Sequence, residues 1–293
     1  MISIVICSRA QTISDILSIN IKNTIGCLYE LIIVDNSENQ YSIFEAYNIG
    51  IDRSKGEYIC FIHDDILFHT MEWGSLIKNI FNEDIQIGLI GVAGSKIKTK
   101  TPSAWWDCQS NQMAISIIQH SKIKGKEKIV SGFELGITDV EVVFIDGVFM
   151  AMRKDKQIRF NDLMTGFHNY DLNISMEYKK YGYKLLVTNK LLIEHFSVGI
   201  INKEWVTSAF KIHNIYKNSL PLKTASSFLT IENEFSNGKK FINNCLKFKN
   251  YRIACSIWWR LFCLNPISMY HIKFWKVIFE ELLKNKKNNL FSK

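Results

Sequence analysis

Near its start the chain runs three times from a short apolar stretch through polar residues into an amphipathic segment. Ile2 to Cys7 ends in Ser8-Arg9, and Thr12 to Asn23 follows with Ile13, Ile16, Leu17 and Ile21 on one helical face. Leu31-Ile32-Ile33-Val34 ends in Asp35-Asn36-Ser37, ahead of a helix predicted over Tyr41 to Asp52 with Phe44, Tyr47 and Ile51 inward. Tyr58 to Ile62 ends in His63-Asp64-Asp65, ahead of Trp73, Leu76, Ile77, Ile80 and Phe81 at helical spacing. Repeated alternation of strand and helix specifies a mostly parallel sheet with crossover helices, and in such sheets ligands bind outside the carboxyl ends of the strands. Every one of these strands delivers polar residues to that edge. Asp64 and Asp65 stand out, because a packed core has no use for adjacent acids and their repulsion favours a divalent cation that in turn holds a phosphate. Taken alone, either acid could instead cap the helix starting near Glu72 or solvate a turn.

Ile87 to Val92 reads as a further strand, after which periodicity is lost. Residues 95–128 hold Lys96, Lys98, Lys100, the pair Trp105-Trp106 and the turn-like Lys124-Gly125-Lys126, and read as a long functional excursion with a hairpin. The two tryptophans fit either satellite packing or stacking on a sugar. Val140 to Met152 reads as one long strand interrupted at Asp146-Gly147, where glycine implies a bulge or the close approach of a ligand. Polar residues from Gly166 open a helix running to about Tyr181, and Gly182 stops it. Lys184 to Val187 and Leu191 to Ile193 are strands, the second delivering Glu194-His195. Beyond Glu204 the pattern is helical, near 204–217, 239–248, 250–263 and 271–284, with Pro221 and Pro266 as punctuation.

Composition narrows the function classes. Seven cysteines, odd in number and without a C-x-x-C pair, suit reduced thiols and argue against a zinc cluster or disulfide framework. No charged n-region precedes the first strand, so no secretory signal is expected, and no apolar run reaches membrane-spanning length. Residues 201–293 carry 16 Lys and Arg against 5 Asp and Glu, whereas residues 1–200 carry 20 against 23. Basicity therefore belongs to the tail, which could meet an anionic surface while the body stays near neutral. A nucleic-acid partner is not expected, since the acidic cluster at the sheet edge opposes it.

With these residues assembled, the first 200 positions resemble the GT-A glycosyltransferases, and within them the bacterial family 2-like group. The features that carry the resemblance are Ile6-Cys7-Ser8-Arg9, Ile33-Val34-Asp35-Asn36-Ser37, Tyr47-Asn48-Ile49-Gly50 with Lys55-Gly56, and His63-Asp64-Asp65 in the place of the family's DXD motif. Asp146-Gly147-Val148-Phe149-Met150, His168-Asn169-Tyr170-Asp171 and Glu194-His195-Phe196-Ser197 follow in the family's order. His63 departs from that pattern, since it replaces the first acid of the DXD motif, and Asn169 and Asn173 flank a single Asp171 where many relatives have two acids.

The resemblance implies an α/β fold of the GT-A, Rossmann-like kind, a mixed and mostly parallel sheet flanked by helices. It implies a catalytic domain over residues 1–203 and is silent on residues 204–293, which charge and spacing read as a basic, aromatic-rich helical appendage. It further implies a metal-dependent, inverting transfer of a sugar from a nucleoside-diphosphate sugar, UDP-sugar foremost, to a hydroxyl of a glycan or lipid-linked glycan in surface polysaccharide synthesis. Asp65 and His195 would ligate Mn2+ or Mg2+, the imidazole favouring Mn2+. Ser8, Arg9, Asp35, Asn48 and Asp64 would bind the donor, and Asp171 would be the base. Asp171 and Asp35 could equally be helix N-caps, and His195 a hydrogen-bonded strand-end histidine. A protein that kept the fold and the nucleotide-sugar site but weakened the chemistry is the alternative. A nucleotidyltransferase is disfavoured because no Gly-rich, basic phosphate loop follows the first strand. The expected location is the cytoplasm, peripheral on the inner membrane face, with the tail packing on the body, pairing with a second copy or lying on lipid.

Overall fold

The computed structural model describes residues 1–121 and 125–290. Its strands are β1 (Ile2–Ser8), β2 (Tyr29–Asp35), β3 (Tyr58–Ile62), β4 (Ile66–Phe68), β5 (Ile87–Gly91), β6 (Ala93–Ser95), β7 (Ile97–Lys98), β8 (Met113–Ser121), β9 (Gly125–Ser131), β10 (Asp139–Val142), β11 (Phe144–Ile145), β12 (Phe149–Arg153), β13 (Lys184–Thr188), β14 (Ile193–His195) and β15 (Leu222–Lys223). Its helices are α1 (Asp15–Thr24), α2 (Ile43–Arg53), α3 (Trp73–Glu83), α4 (Tyr170–Lys180), α5 (Lys203–Ile215), α6 (Ile231–Lys247), α7 (Tyr251–Leu264) and α8 (Tyr270–Leu290).

The main sheet has the order β10-β13-β5-β12-β3-β1-β2, in which β10 and β12 run against the other strands. Alternation along each strand sends side chains to two faces. Val5, Phe61 and Met150 meet α2 and α4 on one face, while Ile4, Ile6, Cys60 and Phe149 meet α1 and α3 on the other. A parallel register pairs Ser8 with Asp35, so the polar ends of β1 and β2 reach the same edge as His63 just past β3. A second sheet, β11-β6-β8-β14-β4 with β9 on β8, lies beside it. The predicted hairpin is there as β8 and β9, paired from Ile115↔Ser131 to Ser121↔Gly125. Of its predicted turn, Gly125 and Lys126 belong to β9, while Lys124 lies outside the described residues.

Caps account for where helices begin. Leu17 N–H donates to Ser14 Oγ, and Ser42 forms a reciprocal capping box with Glu45, so α1 and α2 start later than apolar spacing alone predicts. Gly182, at φ +82°, closes α4. The predicted strand over 140–152 is three strands, because Asp146-Gly147 turns the chain. A Cβ on Gly147 would sit 2.4 Å from the Tyr170 hydroxyl, so the close approach expected there is made by a side chain of α4 and not by a ligand.

A third core unites the C-terminal helices. Trp205, Val206 and Ala209 of α5 pack with Phe241, Ile242, Cys245, Ala254, Ile257, Leu261 and Phe274. Ile212 of the same helix belongs to the core under α2 and α4, so α5 joins the tail to the body. The tail's aromatic residues divide: Phe241 and Phe274 are buried, whereas Trp259 and Phe279 are 58% and 60% exposed. No helix among the described residues is long and apolar enough to cross a membrane.

Candidate active site

A cavity of about 860 Å³ opens at the carboxyl edge of the main sheet. It is lined from the end of β1 by Cys7 and Arg9, from the end of β2 by Asn36, Ser37 and Asn39, and from the end of β3 by His63, Asp64 and Asp65. That volume is in the range of small-molecule sites. Tyr47, Phe167, Tyr170, Ser197 and Val198 complete the wall.

His63 and Asp65 of this wall, together with His195, each present a ligand atom, all within 4.8 Å of one another. Sheet register brings them together. β14 runs antiparallel to β4 with His195 opposite Ile66, and parallel to β8 with His195 beside Gln119. His195 Nε2 then lies 3.5 Å from Asp65 Oδ1, and His63 Nδ1 lies 3.7 Å from the same oxygen. Burial opposes the Asp65 charge, but hydrogen bonds from His195 and Ser197 and the nearby imidazoles outweigh it and hold the carboxyl well below its ordinary range. Burial and the neighbouring His195 push His63 down, so it is neutral at pH 7.

Surrounding hydrogen bonds orient both rings. Gln119 Nε2 donates to the carbonyls of His120 and Ser197, at 2.9 and 2.6 Å, which leaves its Oε1 as the acceptor 3.1 Å from His195 Nδ1. Nδ1 of His195 therefore carries a proton, and Nε2 is the atom that faces Asp65, as a donor to it here and as a lone pair once a cation stands between them. His63 Nε2 is 2.6 Å from the Tyr170 hydroxyl, and in the tautomer that donates to that oxygen Nδ1 would turn a lone pair toward Asp65. Two imidazole lone pairs and an ionised carboxylate on one point fit a divalent transition ion, with the outer hydrogen bonds such ligands need.

The remaining candidates fall in different places. Arg9 and Asp64 are exposed and line the cavity. Asp35, the residue before the lining Asn36, accepts the Ser37 N–H at 2.9 Å, so it closes a turn and does not cap α2, whose cap is Ser42. Ser8 is buried, with its hydroxyl accepting from Ala10 N–H. The donor contact expected of Asn48 is not what its side chain makes: it is buried, donates to Phe160 O and accepts from Phe160 N–H, clamping a segment 112 residues away. Asp171 sits in the first turn of α4, and the residue before α4 is Asn169, so Asp171 is not the cap. It does not line the cavity. Burial and the charge of Asp146 raise its pKa to about 7, against the opposing Leu172 N–H and the Lys98 ammonium.

For several residues singled out in the sequence, the partners were not legible there. Asp146 is fixed by Trp105 Nε1 at 2.6 Å and Val148 N–H at 2.9 Å, which makes Trp105 part of the acid's support and leaves Trp106 43% exposed. Glu194, 5% exposed, binds His69 at 2.7 Å, His120 at 2.6 Å and Lys126 at 2.7 Å. Despite its burial, those partners hold its pKa down to about 2, and together they anchor the strand that carries His195. Asn173, which flanks Asp171, is wholly committed to Asn161 N–H and Tyr216.

The carboxyl edge of a mixed sheet thus joins a cavity of small-molecule size to a carboxylate and imidazole cluster. The chain belongs to the glycosyltransferase like family, whose sequence model matches residues 3–223. A curated relative, "ATP synthase subunits region ORF 6" of Fuscovulum blasticum, is 24% identical over 152 residues, covering 50% of this chain; the match spans 55% of that protein's length. Among solved structures, A197 from STIV is 13% identical with a TM-score of 0.38, over 67% of this chain and 86% of that one. GalNAc-T7, crystallised with UDP, GalNAc and Mn2+, is 10% identical with a TM-score of 0.49, over 77% and 52%. At these scores neither structure bears on the site.

Proposed function

We propose that the protein is a metal-dependent, inverting glycosyltransferase that moves a sugar from a nucleoside-diphosphate sugar to a hydroxyl of a glycan acceptor in surface polysaccharide synthesis. The observation that carries this reading is the convergence of His63, Asp65 and His195 beside the cavity, with both rings held by further hydrogen bonds. Those three residues would hold Mn2+ or Mg2+, with two imidazoles favouring Mn2+. When bound, the ion supplies Lewis-acid neutralisation of the diphosphate. Arg9, Asn36 and Ser37 would contact the nucleotide, with Asp35 accepting from its ribose or base and Asp64 completing the polar rim.

Transfer needs one bond made and one broken. The acceptor oxygen attacks the anomeric carbon, its proton passes to the Asp171 carboxylate, and the bond from that carbon to the diphosphate oxygen breaks with its electron pair leaving on the nucleoside diphosphate. One displacement inverts the anomeric centre. A pKa of about 7 suits the task, since the carboxyl is substantially ionised at neutral pH yet basic enough to take a proton. The acceptor is proposed to be a glycan, lipid-linked in the form met at a membrane face, where the exposed Trp259, Ile272 and Phe279 beside Lys273 and Lys276 would rest on anionic lipid.

The test is a panel of nucleotide sugars with and without Mn2+, scoring donor hydrolysis and thermal shift, on wild type and Asp65→Ala. Asp65→Ala is expected to lose metal-dependent nucleotide binding and turnover while its circular dichroism stays native, because a half-exposed rim carboxylate contributes little to the core. Full activity in that variant refutes the metal assignment.

A further inference from the structure

Lys98, the last residue of β7, is 2% exposed. Its Nζ donates to the backbone carbonyl of Ser103 and to that residue's hydroxyl at 2.8 Å, and it lies 5.3 Å from the centroid of the Phe144 ring. Ser103 belongs to a tight turn that helix α6 holds from outside. The N–H groups of Lys100 and Thr101 donate to the two carboxylate oxygens of Glu234, at 2.6 and 2.9 Å, and the Thr101 hydroxyl reaches the same carboxylate at 2.8 Å. Asn237 donates to Thr99 Oγ1 at 3.0 Å, and Thr99 Oγ1 is in turn 2.9 Å from Ser103 Oγ. Lys240 pairs with Asp107 at 3.3 Å, and between these contacts the loop presents Trp105 to Asp146. Residues 234, 237 and 240 recur at helical spacing, so one face of α6 grips the loop along its length.

Stability alone explains this poorly, because a buried carboxylate adds little over apolar packing. What the contacts fix is position. We propose that α6, through Glu234 and Asn237, is a positioning element of the reaction centre: by clamping the 99–103 turn it fixes the Lys98 ammonium on Ser103 and sets the Trp105 indole against the Asp146 carboxylate. The helical tail is then required for turnover itself. This rests on the reading of Asp171 as the base. Asp171 is raised by burial and by Asp146 from the turn before β12 and lowered by the Leu172 N–H and by Lys98 from β7, and its own charge in turn raises the phenols of Tyr47 on α2 and Tyr170 on α4. Lys98 is the cation among them. Burial brings its pKa to about 8, with Asp107, Asp171, Cys108 and Glu234 acting in the opposite sense, so it remains charged at pH 7.

The experiment uses the full chain and the variants Glu234→Gln, Thr101→Val, Lys98→Met and Asp171→Asn, with kcat, donor and acceptor KM, nucleotide affinity, Tm and the pH profile of kcat measured for each. Glu234→Gln is expected to lower kcat about tenfold and raise the acceptor KM, with nucleotide affinity unchanged and Thr101→Val showing a smaller loss of the same kind. Lys98→Met is expected to move the acidic limb of kcat up by about one pH unit, the scale of removing a nearby opposite charge. A lowered Tm with unchanged kcat per folded molecule and an unchanged pH profile overturns the proposal and leaves the α6 contact as packing. If Asp171→Asn loses turnover while Glu234→Gln does not, the clamp fails and the functional reading stands. If Asp171→Asn keeps full turnover, the base assignment fails and the clamp's role in catalysis falls with it.

Discussion

Replacing Asp171 with Asn removes the charge of that carboxyl while keeping its shape, and it should act in opposite directions on activity and stability. In the folded protein, burial and Asp146 raise the pKa of Asp171 from 3.8 to about 7. A carboxyl with that gap between the unfolded and folded states costs the fold roughly 4 kcal/mol once both states are ionised. The group is only partly buried by its surface exposure, so solvent screening reduces the expected figure to about 1–3 kcal/mol. Its sign follows from a raised folded-state pKa. Below pH 4 both states are protonated and nothing is lost; between pH 4 and 7 the unfolded chain ionises while the fold does not, and wild type loses stability; above pH 7 the loss is complete. Asp171→Asn should therefore match wild type near pH 4 and exceed it by about 1–3 kcal/mol at pH 8 in urea unfolding. Turnover should move the other way. Wild-type kcat should fall about tenfold from pH 8 to pH 6 as the base takes up its proton, and the variant should lose about 10²-fold or more at pH 8 with nucleotide binding retained. A variant no more stable than wild type at pH 8 would show that the carboxyl is not destabilised by its surroundings, and the argument for its basicity would fall.

Gln119→Leu removes the acceptor that fixes the His195 tautomer, and Mn2+ affinity measured by calorimetry should drop about 10- to 100-fold with the fold retained; unchanged affinity would exclude His195 as an oriented ligand. For the tail, co-sedimentation with anionic vesicles at low salt should exceed that with neutral vesicles and should fall at high salt. The double variant Trp259→Ser and Phe279→Ser should lose most of that association, and equal pelleting across vesicle types and variants would leave the tail as packing alone.

Much of the scaffold was legible because the signals are local. Alternation in Ile2 to Cys7 and Tyr58 to Ile62, the helical spacing from Trp73 to Phe81, and the polar ends of β1, β2 and β3 each lie within a few residues, and they were enough to gather Arg9, Asp35 and Asp65 at one edge. Helix starts were less legible, since Ser14 and Ser42 declare themselves as caps only through hydrogen bonds that apolar spacing does not contain. Asn48 read as a donor ligand because its neighbours in sequence fit a motif, while its actual partner is the backbone of Phe160. His63 read as a missing acid, yet the fold sets its ring beside Asp65 and His195, where we propose that it serves as a third ligand.

Taken by itself, the sequence determined the alternating α/β frame, the edge at which polar chemistry collects, the reduced cysteines and the basic, aromatic tail, because periodicity and composition are properties of short windows. Only the tertiary structure decided which polar groups meet. It set His195 beside Asp65 through the pairing of β14 with β4 and β8, placed the Tyr170 ring over Gly147, buried Lys98 under a turn held by a helix more than a hundred residues away, and raised Asp171 by burying it and bringing Asp146 near. Those encounters depend on strand register and on packing between distant segments, and electrostatic interactions act through the distances that packing sets, not along the chain.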